Sequence, residues 1–330
     1  MASGRGIQIQ DKDGADGINV PAMSVNFNVN RNQITEESFS IATQSKIYAG
    51  NYSVTGSFSA AYRPTIFADI TKYVLGNANV ADGIDVNGFD QTNDYASITI
   101  QDDNDNYYSF ASIVINSMEL TLNSNEFAKV TYNWIGIQKG TTNAAIESPD
   151  FSEDIPLFYN AILSKSDPTV ENNEQNIKFV TGGNNPTSGE FKAKAVTIKI
   201  DRPMTPDYIL GTEYAYTMVQ SGQMTVSGTL TFSPSEYEML EKAMITADEG
   251  NGHIEPNAGN KNEWGAYKII LALNKSNGSG ALEVITIDKA LITSMDTSAQ
   301  GANVFDKKVD WVAQIKSADT ALIVVEPVQL

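Results

Sequence analysis

The 330-residue chain carries 40 acidic against 22 basic residues, a net charge of −18 at pH 7, and its hydrophobic fraction of 41% supports a packed core. It has no cysteine and one histidine, which excludes disulfides, cysteine nucleophiles and a typical structural zinc site. There is no signal-peptide apolar region and no run of the roughly 18–20 apolar residues that span a bilayer, so we expect a soluble chain assembled in a reducing cytoplasm.

The first half is predicted to form two strands, a helix and a β-rich remainder. Apolar and polar residues alternate in SVNFNVNR (24–31) and NYSVTGSFS (51–59), which is typical of half-buried strands. Pro64 suits a first helical turn, and the apolar stripe that follows predicts a helix over residues 63–76. Further strands are predicted at 95–101, 109–123 and 129–138, with a hairpin turn at 102–106.

The second half repeats this order. AVTIKIDR (195–202) matches the first strand, QMTVSGTLT (223–231) the second, SPSEYEMLEKAMI (233–245) the helix, and KKVDWVAQIK (307–316) the strand at 129–138. Four matches in the same order indicate an internal duplication. Other strands of this half are predicted at 266–274, 281–293 and 320–329. The residues that define the repeat are Val54, Gly56, Phe58 and Trp134 in one copy and Val226, Gly228, Leu230 and Trp311 in the other.

The predicted fold class is mainly β, with two tandem copies of an antiparallel β-sandwich or open barrel. Each copy is expected to carry one short flanking α-helix. A polar, turn-rich stretch places the boundary near residue 150, which gives domains 1–150 and 151–330. The central glycines of the matching strands are expected to mark a β-bulge or a bend of the sheet.

The sequence offers no support for catalysis or for a bound metal. His253 stands alone in a loop, and neither a phosphate-binding glycine loop nor a nucleophile elbow is present. The acidic runs DKDGADG (11–17) and DDNDN (102–106) lack the spacing of a calcium loop and are expected to be surface turns. We therefore expect no enzyme activity, no cofactor and no metal.

The order AGNYSVTGSFS, a helix at RPTIFADI and a β-rich tail ending in VTYNWIGI resembles phage tail tube proteins, the major tail proteins of long-tailed phages. In that family, β domains with a flanking helix assemble into rings, and stacked rings form the tube through which DNA leaves the capsid. The resemblance implies a structural virion protein of the tail, with three duplicated chains in each pseudo-hexameric ring. It also implies contacts between rings through the N-terminal segment and the long connection after the first strand.

The resemblance also implies the partners. They are further copies of the chain, a tape-measure protein, a tail terminator, distal tail or baseplate proteins and, in a contractile tail, a sheath. Genomic DNA is expected to pass through without specific binding. The sequence does not fix whether the tail contracts, its length or the host.

The negative charge suits such a conduit, because DNA is itself a dense line of negative charge and no Lys/Arg cluster is present to hold it. At a screening length of about 8 Å, only acids near the bore matter. The candidate lumen acids are Asp102, Asp103 and Asp105 in one turn and Glu119 on a long alternating strand. For each of them individually, a solvated turn or outer-face position is at least as well supported.

Two other classes stay open from the sequence. A β-sandwich baseplate or adhesin-type protein that binds carbohydrate needs an exposed aromatic platform, for which DNYYSF (105–110) is the local candidate. Its residues Tyr107 and Tyr108 suit a strand equally well. A polysaccharide-acting enzyme needs a carboxylate pair, and nothing singles one out among the 40 acids.

Overall fold

The structure is a computed structural model of the chain. It describes residues 6–11, 17–36, 46–75, 95–102, 106–124, 126–139, 146, 163–165, 175–179, 190–191, 193–232, 266–274, 281–298, 306–313 and 323–327. These segments are mainly antiparallel strands, as the alternating sequence pattern predicts. No helix among them is long and apolar enough to cross a membrane.

The elements follow one another along the chain as seventeen strands and one helix in the described segments. They are β1 (Gly6–Asp11), β2 (Ile18–Glu36), β3 (Lys46–Ala61), α1 (Pro64–Leu75), β4 (Ala96–Gln101), β5 (Tyr107–Asn123), β6 (Lys129–Lys139), β7 (Leu163–Lys165), β8 (Gln175–Phe179), β9 (Glu190–Phe191), β10 (Ala193–Asp201), β11 (Met204–Asp207), β12 (Thr217–Gln220), β13 (Thr225–Phe232), β14 (Ala266–Asn274), β15 (Ala281–Ser298), β16 (Asp306–Ala313) and β17 (Val324–Pro327).

The first six strands close into a barrel. β1 pairs with β2 on one side and with β4 on the other, and β4 also pairs with β5, so the order β4-β1-β2-β3-β6-β5 returns to its start. Ile7 and Ile9 of β1 point into the core and are completely buried. The sequence predicts a sandwich or an open barrel here, and β1 is the strand that closes it.

Helix α1 covers the barrel as predicted. It begins at Pro64, whose missing N–H has no partner to lose in a first turn. Phe67 and Ile70 are buried, and the Thr71 hydroxyl lies 3.4 Å from the sulfur of Met118 on β5. The second helix, predicted over 233–245, lies outside the described residues.

From β5 the sheet continues into the second half of the chain. β10 pairs with β5, and the order then runs β13-β16-β15-β14-β8-β7-β9, with β17 beside β15. These pairings are antiparallel except for that of β14 with β8. β5 serves both halves, because residues 107–113 pair with β4 and residues 117–123 pair with β10. A shift of register between Ile115 and Ser117 separates the two stretches of β5.

Gly56 and Gly228 make room for tryptophan rings. Gly56 lies opposite Trp134, and Gly228 lies opposite Trp311. A Cβ at either glycine would overlap the facing indole. The expectation of a bulge at these glycines is wrong, because the strand register passes through both without a shift. The other expectation, a bend of the sheet, stays a prediction. The other residues that define the repeat are buried in the same core: Val54, Phe58, Val226 and Leu230.

Candidate functional site: a polar sheet face between two free edges

Eight neighbouring strands share one largely polar face. They are β2-β3-β6-β5-β10-β13-β16-β15, and we call the side that faces away from the main core the polar face. Part of this side on β5 and β6 is apolar instead, because Val114 and Ile137 are buried there against residues of the segment 204–218. Successive residues of a strand point to opposite sides. In β10, for example, Val196, Ile198 and Ile200 are buried and the intervening residues face outward.

Serine, threonine and asparagine dominate the polar face. The strand register aligns them in rows across the sheet, one of which consists of Asn26, Ser57, Asn133, Ser117, Asp201 and Thr225. Neighbours in these rows are hydrogen bonded, since Asn133 donates its amide N–H to the Ser117 hydroxyl at 2.8 Å. Most of the side chains in these rows are therefore uncharged hydrogen-bonding groups.

Charged side chains on the polar face nearly balance. The acids with described side chains are Glu119, Asp201, Asp296 and Asp310, and the bases are Lys129, Lys199 and Lys308. Lys199 Nζ lies 3.4 Å from Asp201 Oδ2, and Lys308 Nζ lies 3.2 Å from Asp310 Oδ1. Most of the net charge of −18 therefore lies elsewhere in the chain.

Asp310 connects three strands of the polar face. Its carboxylate accepts hydrogen bonds from Thr229 on β13 at 2.9 Å and from Ser294 on β15 at 2.7 Å. Burial acts to raise the pKa of Asp310, but these hydrogen bonds and the charge of Lys308 outweigh it, so this pKa lies below its ordinary value. Asp310 is consequently a structural carboxylate that holds the β15 end of the face together.

One of the four predicted lumen acids lies on the polar face. Glu119 is exposed on β5, directly opposite Lys199 of β10. Asp102 lies instead in the turn between β4 and β5, where its carboxylate accepts hydrogen bonds from the backbone and side-chain N–H groups of Asn106, each at 2.9 Å. Asp103 and Asp105 lie outside the described residues.

The aromatic segment considered for carbohydrate binding is packed into the barrel. The Tyr108 ring lies 5.2 Å from the Phe27 ring, and the Tyr107 hydroxyl accepts a hydrogen bond from Gln101. Both tyrosines are half-buried strand residues of β5. They do not form the exposed platform that stacking against a sugar ring requires.

Sequence reasoning missed Asp310 and Lys308 as residues of the polar face. Alternation in KKVDWV contains the signal, because it places Lys308 and Asp310 on one side and the buried Trp311 on the other. The carboxylate of Asp310 also accepts hydrogen bonds from Thr229 and Ser294 on the two strands that flank β16. Only the strand register brings these residues together.

The polar face ends at two strand edges that have no partner in the described part of the chain. β1 pairs with residues 18–21 of β2, so the outer edge of β2 is free from residue 22 onward. β14 pairs with residues 281–291 of β15 and β17 with 283–286, so the outer edge of β15 is free from residue 292 onward. Unpaired N–H and C=O groups of this kind recruit another strand.

A hairpin arm, residues 204–220, leaves the sheet between β10 and β13 and packs against the first half of the chain. The Tyr208 hydroxyl donates a hydrogen bond to the carbonyl oxygen of Tyr52 at 3.0 Å. The backbone N–H of Met218 donates to the Tyr95 hydroxyl at 2.7 Å. The arm therefore fixes the second half of the chain against the first.

The tip of the hairpin arm exposes apolar side chains. Leu210 is fully exposed and Tyr216 is 68% exposed. Gly211, at the turn itself, has a φ of 90°, a conformation that favours glycine. Because Ile209 and Tyr214 nearby are also exposed, the tip of the arm is a candidate contact surface.

The described residues form an extended, mainly antiparallel sheet with a largely polar face and an unpaired stretch of edge on β2 and on β15. Within the described residues, no group of three or more acidic or histidine side chains is arranged to hold a metal ion. A family model described as phage tail tube protein matches residues 15–243, which is more than half of the 330-residue chain. The chain therefore belongs to the phage tail tube protein family, which is a structural family of the virion and not an enzyme family. No curated protein matches the chain.

Proposed function

We propose that the chain is the subunit of a tail tube in which three chains form each pseudo-hexameric ring. The polar face lines the bore, and DNA passes through it during ejection without specific binding. The observation that carries this proposal is a run of eight strands with one largely polar side and, within the described residues, an unpaired stretch of strand edge at each end, in a chain of the tail tube family.

A duplicated chain explains how three copies give six equivalent modules, with domains 1–150 and 151–330. Two groups of four strands support this duplication, since β2-β3-β6-β5 and β10-β13-β16-β15 have the same order. Gly56 opposite Trp134 recurs as Gly228 opposite Trp311. Both indole N–H groups are buried without a hydrogen-bond partner. Such a set of shared details favours a common origin for the two groups.

The number of strands suits a wide, water-filled bore. Three chains with eight strands each would place about 24 strands in the wall, more than the 16–18 that already leave an aqueous channel in porins. At a spacing of roughly 4.8 Å between strands, the backbone circle would be about 37 Å across before any tilt. A DNA duplex fits within such a circle.

The chemistry of the polar face suits DNA that must move. Hydroxyl and amide groups carry no charge to attract phosphates, and Lys199 and Lys308 are each held by an acid. Glu119 is the strongest of the proposed lumen acids, because it is exposed on this face. Asp102 is weaker, because its carboxylate is engaged in the β4–β5 turn. Asp103 and Asp105 stay candidate lumen acids on the basis of the sequence.

Membership of the family implies that the chain assembles with other tail proteins. We propose that these are the tape-measure protein inside the tube, the tail terminator and the distal tail or baseplate proteins at its ends, and a sheath where the tail contracts. The exposed tip of the hairpin arm supports stacking of rings, since it carries Leu210 into solvent.

Averaged electron micrographs of the purified protein, viewed along the ring axis, test the proposal. We expect rings with threefold symmetry and six similar modules, which lengthen into tubes as concentration rises. A protein that stays monomeric at high concentration contradicts the proposal. A glycan array run in parallel separates it from a carbohydrate-binding baseplate protein, which would bind glycans without forming rings.

A second experiment addresses the bore itself. In virions that carry Glu119→Lys, we expect tubes of normal length but slower DNA ejection, because the new cation faces the passing phosphates. Glu126→Lys is the matched control, since this exposed acid lies in the β5–β6 turn and bonds to Asn123. Equal ejection rates for the two variants would place Glu119 outside the bore.

A further inference from the structure

We propose that β2 of one chain pairs with β15 of the next, in the register that β5 and β10 use within a single chain. The partner is a second copy of the protein, joined head to tail. This inference rests on the proposed tube function and adds the identity of the residues that meet at the seam between chains.

The pairing of β5 with β10 joins the two four-strand groups within one chain, and we call this junction the internal seam. Residues 117–123 of β5 run antiparallel to residues 195–201 of β10, with Glu119 opposite Lys199 and Ser117 opposite Asp201. On the core side, Leu120 and Ile198 are buried beneath it. This pairing therefore gives the register in which the last strand of one four-strand group, β5, pairs with the first strand of the next, β10.

At one end of the sheet, β2 occupies the place that β10 has in the second group. Both strands pair with the glycine-bearing strand of their group in the same register. Val25, Phe27 and Val29 lie opposite Phe58, Gly56 and Val54, as Val196, Ile198 and Ile200 lie opposite Leu230, Gly228 and Val226. The edge that β10 gives to β5 is the edge that β2 leaves free within the described residues.

At the other end, β15 occupies the place that β5 has in the first group. Ile292 lies opposite Trp311, and the register then shifts before Ser294. Ile115 lies opposite Trp134, with the same shift before Ser117. In β5 the stretch after the shift pairs with β6 on one edge and with β10 on the other. In β15 the corresponding stretch pairs with β16 on one edge, and its other edge has no partner in the described part of the chain.

Exposure of apolar residues on β2 shows what the missing strand would cover. Val29 is 47% exposed, whereas its counterpart in the internal seam, Ile200, is 0% exposed. Phe27 is half-buried, whereas its counterpart Ile198 is 1% exposed. A strand added to the edge of β2 would remove these side chains from water and provide the hydrophobic driving force for association.

Transfer of the internal register gives the residue pairs at the seam between chains. From β2 of one chain to β15 of the next, they are Asn30 with Ser294, Val29 with Met295, Asn28 with Asp296, Phe27 with Thr297 and Asn26 with Ser298. The two edges are different surfaces of the chain, so the contact is head to tail and can close into a ring.

Disulfide formation tests this register directly, because the chain has no cysteine of its own. The probe is the full-length double variant Asn28→Cys/Asp296→Cys, oxidised mildly after assembly. Directly opposed residues in an antiparallel pair have Cα atoms about 4.5 or 5.5 Å apart, within the roughly 4.4–6.8 Å that a disulfide spans. We expect a non-reducing gel to show a ladder of linked chains that ends at three.

Three controls accompany this variant. Glu119→Cys/Lys199→Cys occupies the equivalent position of the internal seam and should close within one chain, without a ladder. Asn28→Cys/Ser298→Cys is displaced by two residues on the same face, so we expect at least tenfold slower linking. Each single variant should give no dimer, because a head-to-tail contact does not bring like residues together.

The outcomes separate the inference from the proposed function. Tubes in electron micrographs without a bond between residues 28 and 296 overturn the inference and leave the tube function standing, provided that the second pair, Asn30→Cys/Ser294→Cys, also fails to link. A dimer from Asn28→Cys alone overturns the inference in favour of pairing between two β2 edges. If the wild type and the variant both stay monomeric and share one circular dichroism spectrum, the strand-pairing inference and the proposed tube function are both overturned.

Discussion

Gly56 lies directly opposite Trp134 on the neighbouring strand, and the indole of Trp134 occupies the space in which a side chain at position 56 would stand. The Trp134 ring therefore limits the size of the residue that position 56 can hold. Gly228 and Trp311 are coupled in the same way.

We predict that Gly56→Ala lowers the free energy of unfolding by about 1–3 kcal/mol, because the added methyl group overpacks the core. Part of this loss should return in Gly56→Ala/Trp134→Phe, since the smaller ring clears the methyl group and the Trp134 N–H has no hydrogen bond to lose. Urea unfolding of the wild type, Gly56→Ala, Trp134→Phe and the double variant measures the coupling energy between the two positions in a double-mutant cycle. Thr55→Ala, at an exposed neighbouring position, is the control. Simple additivity of the two substitutions would refute a packing role for Gly56.

The lowered pKa of Asp310 predicts a specific dependence of stability on pH. Its folded-state pKa lies below the unfolded value, here 3.8, so the ionised carboxylate stabilises the fold at pH values above 3.8. This stabilisation is lost as the pH falls from 3.8 through the folded-state pKa. The difference in unfolding free energy between wild type and Asp310→Asn should therefore be constant near neutral pH and shrink below 3.8.

Ser294→Ala provides a direct test of the cause. Removal of this 2.7 Å hydrogen bond should raise the pKa of Asp310 toward 3.8, as measured by NMR titration of the carboxyl carbon. Ser227→Ala removes a hydroxyl from β13 at a position that faces Val312 instead, and should leave the pKa of Asp310 where it is. Equal effects of the two substitutions would assign the shift to another cause.

The tip of the hairpin arm predicts a variant that separates ring formation from stacking. Leu210→Asp places a charge on a fully exposed side chain, so the fold should be unaffected. We expect rings in normal number but few tubes in electron micrographs, because the stacking contact is lost. Thr205→Asp, an exposed position on β11 of the same arm, should still form tubes.

The seam between chains predicts a variant that assembles more readily. Within the chain, Glu119 faces Lys199, whereas the proposed seam sets Asp296 against the neutral Asn28. Asn28→Lys should supply the missing opposite charge and strengthen the seam by about 0.2–1 kcal/mol. Light scattering would show assembly at a lower protein concentration. In Asn28→Lys/Asp296→Lys the like charges repel, and assembly should need more protein than in the wild type.

The alternating pattern predicted most of the sheet because the strands of the two four-strand groups have one buried and one mainly polar side, apart from the part of β5 and β6 where Val114 and Ile137 are buried on the second side. The helix prediction, 63–76 against the observed Pro64–Leu75, succeeded because a proline at its start and an apolar stripe are both local signals. β1 escaped because only Ile7 and Ile9 alternate before polar residues resume. The short strands β7, β8 and β9 contain too few residues for a period to be recognised.

The candidate site was harder to predict, since it depends on register between distant strands. Alternation placed Glu119 on an outward side of β5, but nothing in the sequence shows that Lys199 faces it. Similarly, a glycine among alternating residues suggested a bulge, whereas the ring that requires it comes from a strand 78 positions further along the chain, at Trp134. An unpaired strand edge cannot be predicted from the sequence of that strand, because whether another strand pairs with it depends on the rest of the fold.

Since β5 and β10 belong to one polypeptide, every second junction around a closed ring already exists when the chain has folded. A ring of chains that each contribute the two proposed modules contains an even number of modules, so rings of five or seven modules are inaccessible under this proposal. A ring of two-module chains therefore needs fewer association steps between molecules than a ring with the same number of modules built from one-module chains.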